Sequence, residues 1–268
     1  MIFLHFIGRL IELLDMEMKT PESYGIFHLC FFALAIILGI VLIKRFKEPD
    51  KKTVRKILLT VATVTIFLEI YKQFNYTFSY DGTKISADYQ WYAFPFQFCS
   101  TPMYVCLLAG LIKQDKIHNA LCAYLATFST FAGLCVMFYP GDVFISTIGI
   151  NIQTMIHHGV MVSLGIFLLG SGYVKSETKT LLSGASVFAI CVGLAMIMNE
   201  IAHGVGLEET FNMFFISPHE EPSLPVYSIV QQHVAYPLCT IIYIVAFTLA
   251  AYVILLLTKL IKKCAKIK

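Results

Sequence analysis

Residues 94–112 read FPFQFCSTPMYVCLLAGLI. The stretch has the roughly 20-residue length that a helix needs to cross a bilayer. Its second half is almost wholly apolar, but its first third is not: Gln97, Cys99, Ser100 and Thr101 sit together between Pro95 and Pro102. Polar side chains at membrane depth are costly, and where they occur they face an interior that uses them. Pro95 suits a first helical turn. That predicts a helix over 94–112 with Cys99 just past its start, near the positive end of the helix dipole. Pro102 cannot donate to the carbonyl of Phe98, which leaves an acceptor free beside Cys99.

The rest of the chain follows the same pattern. It is 57% hydrophobic and 14% charged, against roughly 25% charged in soluble domains. Six further apolar segments, at about 24–43, 55–72, 118–138, 151–170, 180–202 and 233–257, give seven expected transmembrane helices and an all-α, polytopic membrane fold. Residues 1–20 carry apolar positions mainly on one side at helical spacing, broken by Arg9 and Glu12. They are expected to lie at the membrane surface as an amphipathic helix, leaving 21–268 as the seven-helix domain. Lys and Arg concentrate in alternate connections: seven in residues 44–56, then Lys113 and Lys116, Lys175 and Lys179, and five more after residue 258. The positive-inside rule places the N-terminus outside and the C-terminus in the cytoplasm of a multi-pass protein of the cell membrane. The net charge of +3 is small, and no nucleic-acid partner is expected.

With that topology, the polar residues of the apolar spans collect at one depth. Glu69, Gln97, Cys99, Thr101, Asn151, Gln153, His157, His158, Asn199, Glu200, His203 and Gln231 all fall toward the outer ends. The matching inner halves, such as VCLLAGLI and MVSLGIFLLG, are nearly pure hydrocarbon. A single polar cavity near the outer leaflet is expected, with residues 203–232 as a long outer loop suited to a lid.

A thiol at a helix start beside a base is a nucleophile. Cys99 is the candidate nucleophile, and His157 or His158 the candidate base. Adjacent helical positions diverge by about 100°, so one of the two histidines is expected to face the cavity. By the same geometry Gln97 and Cys99 point about 200° apart and share a cavity only if the helix is distorted. Gln97, Thr101 and Asn151 are candidate donors to an oxyanion. Glu200 and His203 are candidates to orient a histidine or meet a headgroup. The eight cysteines form no CxxC pair, and no paired HxxxH or HExxH spacing occurs; no disulfide framework, metal or cofactor is expected.

The FQFCS stretch, the MIHHGVM segment at 155–161 and the FNMFFISPHEEPSLP loop at 211–225 together resemble the YwaF-like integral membrane proteins of bacteria. Those group with a mammalian transmembrane acyltransferase that remodels ether phospholipids. The resemblance implies activity from a cysteine at the head of the third helix, matched by Cys99, with a membrane histidine, matched by His157 or His158. It implies a phospholipid or another acyl lipid as partner. The function expected is therefore acyl transfer or acyl-ester hydrolysis on a membrane lipid. The alternative is a non-catalytic transporter or sensor that binds a lipid or solute in the polar cavity. A through-route would need polar residues toward the cytoplasm, where Asn119 is the main candidate.

Overall fold

The computed structural model describes residues 2–207, 211–220 and 225–266. The chain is helical almost throughout. α1 (Ile2–Leu14) is followed by α2 (Ile26–Arg45) and α3 (Lys51–Asn75). A two-stranded antiparallel hairpin, β1 (Phe78–Tyr80) and β2 (Ile85–Ala87), comes next. Then come α4 (Thr101–Leu111), α5 (Asp115–Tyr124), a π-helical turn (Leu125–Ser129) and α6 (Thr130–Phe138). α7 (Ile148–Gly170), α8 (Thr178–Gly204), α9 (Pro225–His233) and α10 (Tyr236–Lys266) complete the described chain. The Asp81-Gly82 turn closes the hairpin: the Asp81 carboxylate accepts from the amides of Thr83 and Lys84, and Gly82 takes φ +91°, a conformation glycine adopts without strain.

Among the described residues five helices are long and apolar enough to cross a membrane: α2, the continuous α5–α6 unit, α7, α8 and α10. The two other expected spans differ from expectation for distinct reasons. α3 is long enough, but Lys51, Lys52, Arg55 and Lys56 occupy its first turns and Glu69 and Lys72 its later ones. The 94–112 stretch is helical only from Thr101 to Leu111, a rise of about 16 Å, half the hydrocarbon thickness. Pro102 explains the late start. It sits at the first helical positions, where its missing N–H costs nothing, so the helix begins there and not at Pro95. Residues 94–100 form a chain of turns.

That turn segment is anchored by Phe98. Its ring lies 5.1 Å from Phe188 of α8, 5.2 Å from Phe247 of α10 and 5.7 Å from Phe214. Phe128, Phe188 and Tyr243 extend the same aromatic cluster through the bundle centre. Lower down, Arg55 of α3 donates to the carbonyls of Gly110 and Leu111 (2.7 and 2.9 Å). Lys51 donates to the Lys113 carbonyl (2.6 Å) and pairs with Asp115. Cations at a helix C-terminus satisfy its free carbonyls and oppose its dipole. α2 lies along α7 through Ala35 and Gly39, with Ser163 Oγ donating to the Ala35 carbonyl at 2.7 Å.

The expected lid divides. Residues 208–210 and 221–224 lie outside the described residues. Between them, Phe211, Met213, Phe214, Ile216 and Ser217 are buried. Two amides pin this loop into the bundle and a third closes it on itself. Asn199 Nδ2 donates to the Met213 carbonyl (3.1 Å) and its Oδ1 accepts from the Met213 amide (2.7 Å). Gln97 Nε2 donates to the Asn212 carbonyl and its Oε1 accepts from the Phe214 amide, both at 2.9 Å. Asn212 Oδ1 accepts from the Ser217 amide at 2.9 Å. Phe214 and Phe215 both take left-handed backbone (φ 59° and 57°), which costs about 1–2 kcal/mol per non-glycine residue. The hydrogen bonds and the buried rings offset that cost. This part of the loop is a plug packed into the end of the bundle.

Candidate functional site

A cavity of about 130 Å³ lies beside the turn segment, lined by Glu69 and Lys72 of α3, by Tyr92, Ala93, Gln97, Cys99 and Ser100, and by Gln153, Thr154, His157 and His158 of α7. Gln97 and Cys99 both line it because residues 94–100 are not helical. The outward turn of Phe98 toward the aromatic cluster leaves its two neighbours on the cavity side.

Both histidines line the cavity, which corrects the expectation of one. Their ring nitrogens are used differently. His157 Nε2 lies 2.8 Å from the carbonyl oxygen of Cys99, and a carbonyl can only accept, so that nitrogen carries the hydrogen. His158 Nδ1 likewise donates to the Thr154 carbonyl at 2.8 Å, one turn back on its own helix. His157 Nδ1 and His158 Nε2 are each left buried without a hydrogen-bond partner. In these tautomers both are lone-pair acceptors. The contact between Cys99 and a histidine thus runs through the cysteine's main chain. The carbonyl of Phe98, freed by Pro102, accepts from Thr101 Oγ1 at 2.9 Å.

The second charged feature was only half legible. Glu69 Oε1 pairs with Lys72 Nζ at 2.8 Å, with side chains 5% and 17% exposed, and also accepts from Gln73 Nε2 at 2.7 Å. Glu69 Oε2 is buried without a partner. Lys72 and Thr154 were missed in the sequence; the signal for Lys72 was its i, i+3 spacing from a glutamate inside an apolar run.

Several expected site residues are spent elsewhere. Gln97 lines the cavity, but both its amide atoms hold the plug. Thr101 Oγ1 is shared between Phe98 O and Tyr124 Oη (2.7 Å). Asn151 bonds both the amide and the carbonyl of Ile145 (3.0 and 2.7 Å), closing the turn into α7. Glu200 and His203 do not line the cavity. Glu200 meets His219 Nε2 at 3.2 Å, and the rings of His203 and His219 stack at 3.6 Å. The single cavity expected from five of the spans is built from α3, α7 and residues 92–100. Among the described residues no three His, Cys, Asp or Glu side chains gather to hold a metal ion.

One family model matches residues 21–259, that of the TMEM164 family. The chain belongs to the TMEM164 family. The match spans every element that lines the cavity. No curated protein and no solved structure gave a significant match. The TMEM164 family is a family of transmembrane proteins, in agreement with the five apolar helices.

Proposed function

We propose that this protein transfers or hydrolyses acyl groups of a membrane lipid, with Cys99 as nucleophile and His157 as base. The observation that carries the reading is the placement of Cys99, His157 and His158 around one cavity, with His157 held on the Cys99 main chain. His157 is chosen over His158 because its Nε2 is the ring nitrogen fixed on the cysteine, whereas Nδ1 of His158 is tied to its own helix. The resemblance to YwaF-like proteins points to the same chemistry.

In the proposed reaction the thiol proton passes to His157 as the sulfur attacks the ester carbonyl carbon. The tetrahedral intermediate collapses, the ester C–O bond breaks, and His157 returns the proton to the leaving alkoxide. The acyl group is then a thioester on Cys99. Attack by a second lipid alcohol completes transfer; attack by water completes hydrolysis. The expected oxyanion donors Gln97, Thr101 and Asn151 are engaged with the protein itself. Lys72, with one of its three N–H groups on Glu69, takes that role and is positioned to serve a headgroup phosphate as well.

In this reading α3 and the broken 94–111 segment complete seven spans in the cell membrane, with the N-terminus outside and the cavity in the outer leaflet. α4 is a half-span, and the turns before it are tolerated at membrane depth because they are buried in protein. The test is acyl exchange between labelled phospholipid and lysophospholipid by protein in nanodiscs. Cys99→Ala is expected to abolish exchange with melting unchanged, and His157→Gln to lower it at least 100-fold. A Cys99→Ala protein that exchanges acyl groups at the normal rate ends the thiol reading and leaves the binding-protein alternative.

A further inference from the structure

A second, larger hollow adjoins the turn segment. Its volume is about 610 Å³, and it shares no lining residue with the Cys99 cavity. α4 and α8 each pack against α5, and all three helices line the hollow, with Leu108 of α4, Ala120 of α5, and Ile190 and Leu194 of α8 among its walls. Leu108, Ile190 and Leu194 are exposed, so it is a groove open on the outer surface of the bundle. Among membrane helices that surface faces lipid.

Two features of the groove select its occupant. The first is length. Phe96 and Thr101 line it where α4 begins, and Gln114 and Lys116 line it just past the end of α4. The groove therefore runs along α4 for about 16 Å, close to one leaflet's share of the roughly 30 Å of hydrocarbon. A partner's transmembrane helix would need the full thickness, whereas this groove stops at Phe96. The second feature is charge. Lys116 is the one charged residue in the lining among the described residues. Its neighbour Asp115 is already paired with Lys51, and Lys116 enters no ion pair among the described residues. Gln114 makes no capping bond to α5, so its amide is not spent there. Thr101, at the opposite end, has its hydroxyl engaged with Phe98 and Tyr124. Lys51 and Arg55 sit at the Lys116 end, on the last carbonyls of the α4 turn. One end of the groove is thus cationic and hydrogen-bonding, and the remainder is apolar for the depth of one leaflet.

We propose that the α4–α5–α8 groove is a binding site for one anionic phospholipid of the leaflet on the basic side of the protein, with its phosphate on Lys116 and Gln114 and one acyl chain laid along α4 to Phe96. The site is separate from the Cys99 cavity and does not depend on the acyl-transfer reading. A lysine at the membrane surface attracts anionic headgroups, and the apolar walls hold the chain by burying its methylenes.

The experiment places the full chain in phosphatidylcholine nanodiscs doped with phosphatidylglycerol whose acyl tail ends in a diazirine. Crosslinked peptides are mapped by mass spectrometry after irradiation. The label should concentrate on residues 96–108 and not around Lys116, because the charged end fixes which way the chain lies. Lys116→Gln should lower that label about fivefold, the effect of one surface lysine toward an anionic lipid. A phosphatidylcholine probe with the same tail should label more weakly and ignore Lys116→Gln. Ile190→Trp and Ala120→Trp each put a large ring into the groove and should abolish the label, while Leu249→Trp, on an exposed face of α10, should leave it. Ile190 is exposed, so its replacement keeps the test usable if Ala120→Trp does not fold. Label spread alike over the exposed faces of α2, α8 and α10 and surviving Ile190→Trp would mean bulk lipid only, and would overturn the proposal. So would equal labelling by the two probes, or crosslinks joining two copies of the chain through α4 and α8 with no lipid attached.

Discussion

Replacing Gln97 with Ala severs the tie between the segment that carries Cys99 and the plug at 211–217. Two bonds of 2.9 Å are lost. The Asn212 carbonyl keeps the Phe215 amide as a donor at 3.3 Å, so the main orphan is the Phe214 N–H. Leaving a buried N–H unpaired costs about 1–3 kcal/mol and the other bond about 0.5–1.5, roughly 2–4 kcal/mol together. The loop already carries two left-handed phenylalanines, and their strain of about 1–2 kcal/mol each is released on opening. The loss therefore appears as local opening of this segment, because Phe98 keeps its packing on Phe188 and Phe247 when Phe214 leaves. At the lower bound of 2 kcal/mol, exchange of the Phe214 amide accelerates about 30-fold. Hydrogen–deuterium exchange mass spectrometry of the 211–217 peptide in nanodiscs measures it. Protection unchanged within twofold, or lost evenly from every helix, would refute the reasoning.

Three further outcomes are expected. Lys72→Met strands the buried Glu69 carboxylate and should destabilise by about 3–5 kcal/mol, read as a lower melting midpoint that Glu69→Gln added to it partly restores. Gly133→Ala places a Cβ 2.9 Å from the His158 carbonyl oxygen; α6 must move off α7, costing about 1–3 kcal/mol, and acyl exchange should fall with the melting midpoint. The amide of Lys84, then the hydroxyl and amide of Thr83, hold the exposed Asp81 carboxyl below its usual 3.8, at about 2. A depressed carboxyl stabilises its turn above the ordinary value and loses that as pH falls through the folded one, so the hairpin should stay ordered at pH 4 and loosen toward pH 2. A Thr83 amide shift that moves near pH 4 would contradict this.

The membrane class and the long helices were plain in the sequence because a run of apolar residues leaves few other structures. α7 and α8 sit close to where hydropathy put them. The start of α4 was misplaced because two prolines compete for one first turn, and only packing decides: Phe98 gains the aromatic cluster if residues 94–100 stay as turns. The hairpin was visible only as its Asp81-Gly82 turn, since strands of three residues carry too little alternation to read. That Cys99, His157 and His158 share one cavity was legible because costly groups in hydrocarbon stand out. What each polar atom does was not legible. Gln97, Thr101, Asn151 and Asn199 look like site residues by type and depth, yet they bond backbone that irregular segments leave unpaired. The π turn Leu125–Ser129 was hidden because it has no sequence signature.

The most direct measurement is of Cys99 itself. Protein incubated with phospholipid bearing an alkyne-tagged acyl chain, quenched in acid and digested, should give a Cys99 peptide heavier by one acyl group. Hydroxylamine at neutral pH should remove that mass, as it cleaves a thioester. His157→Gln should slow its appearance. An unmodified Cys99 peptide from protein that is actively exchanging acyl chains would contradict the account.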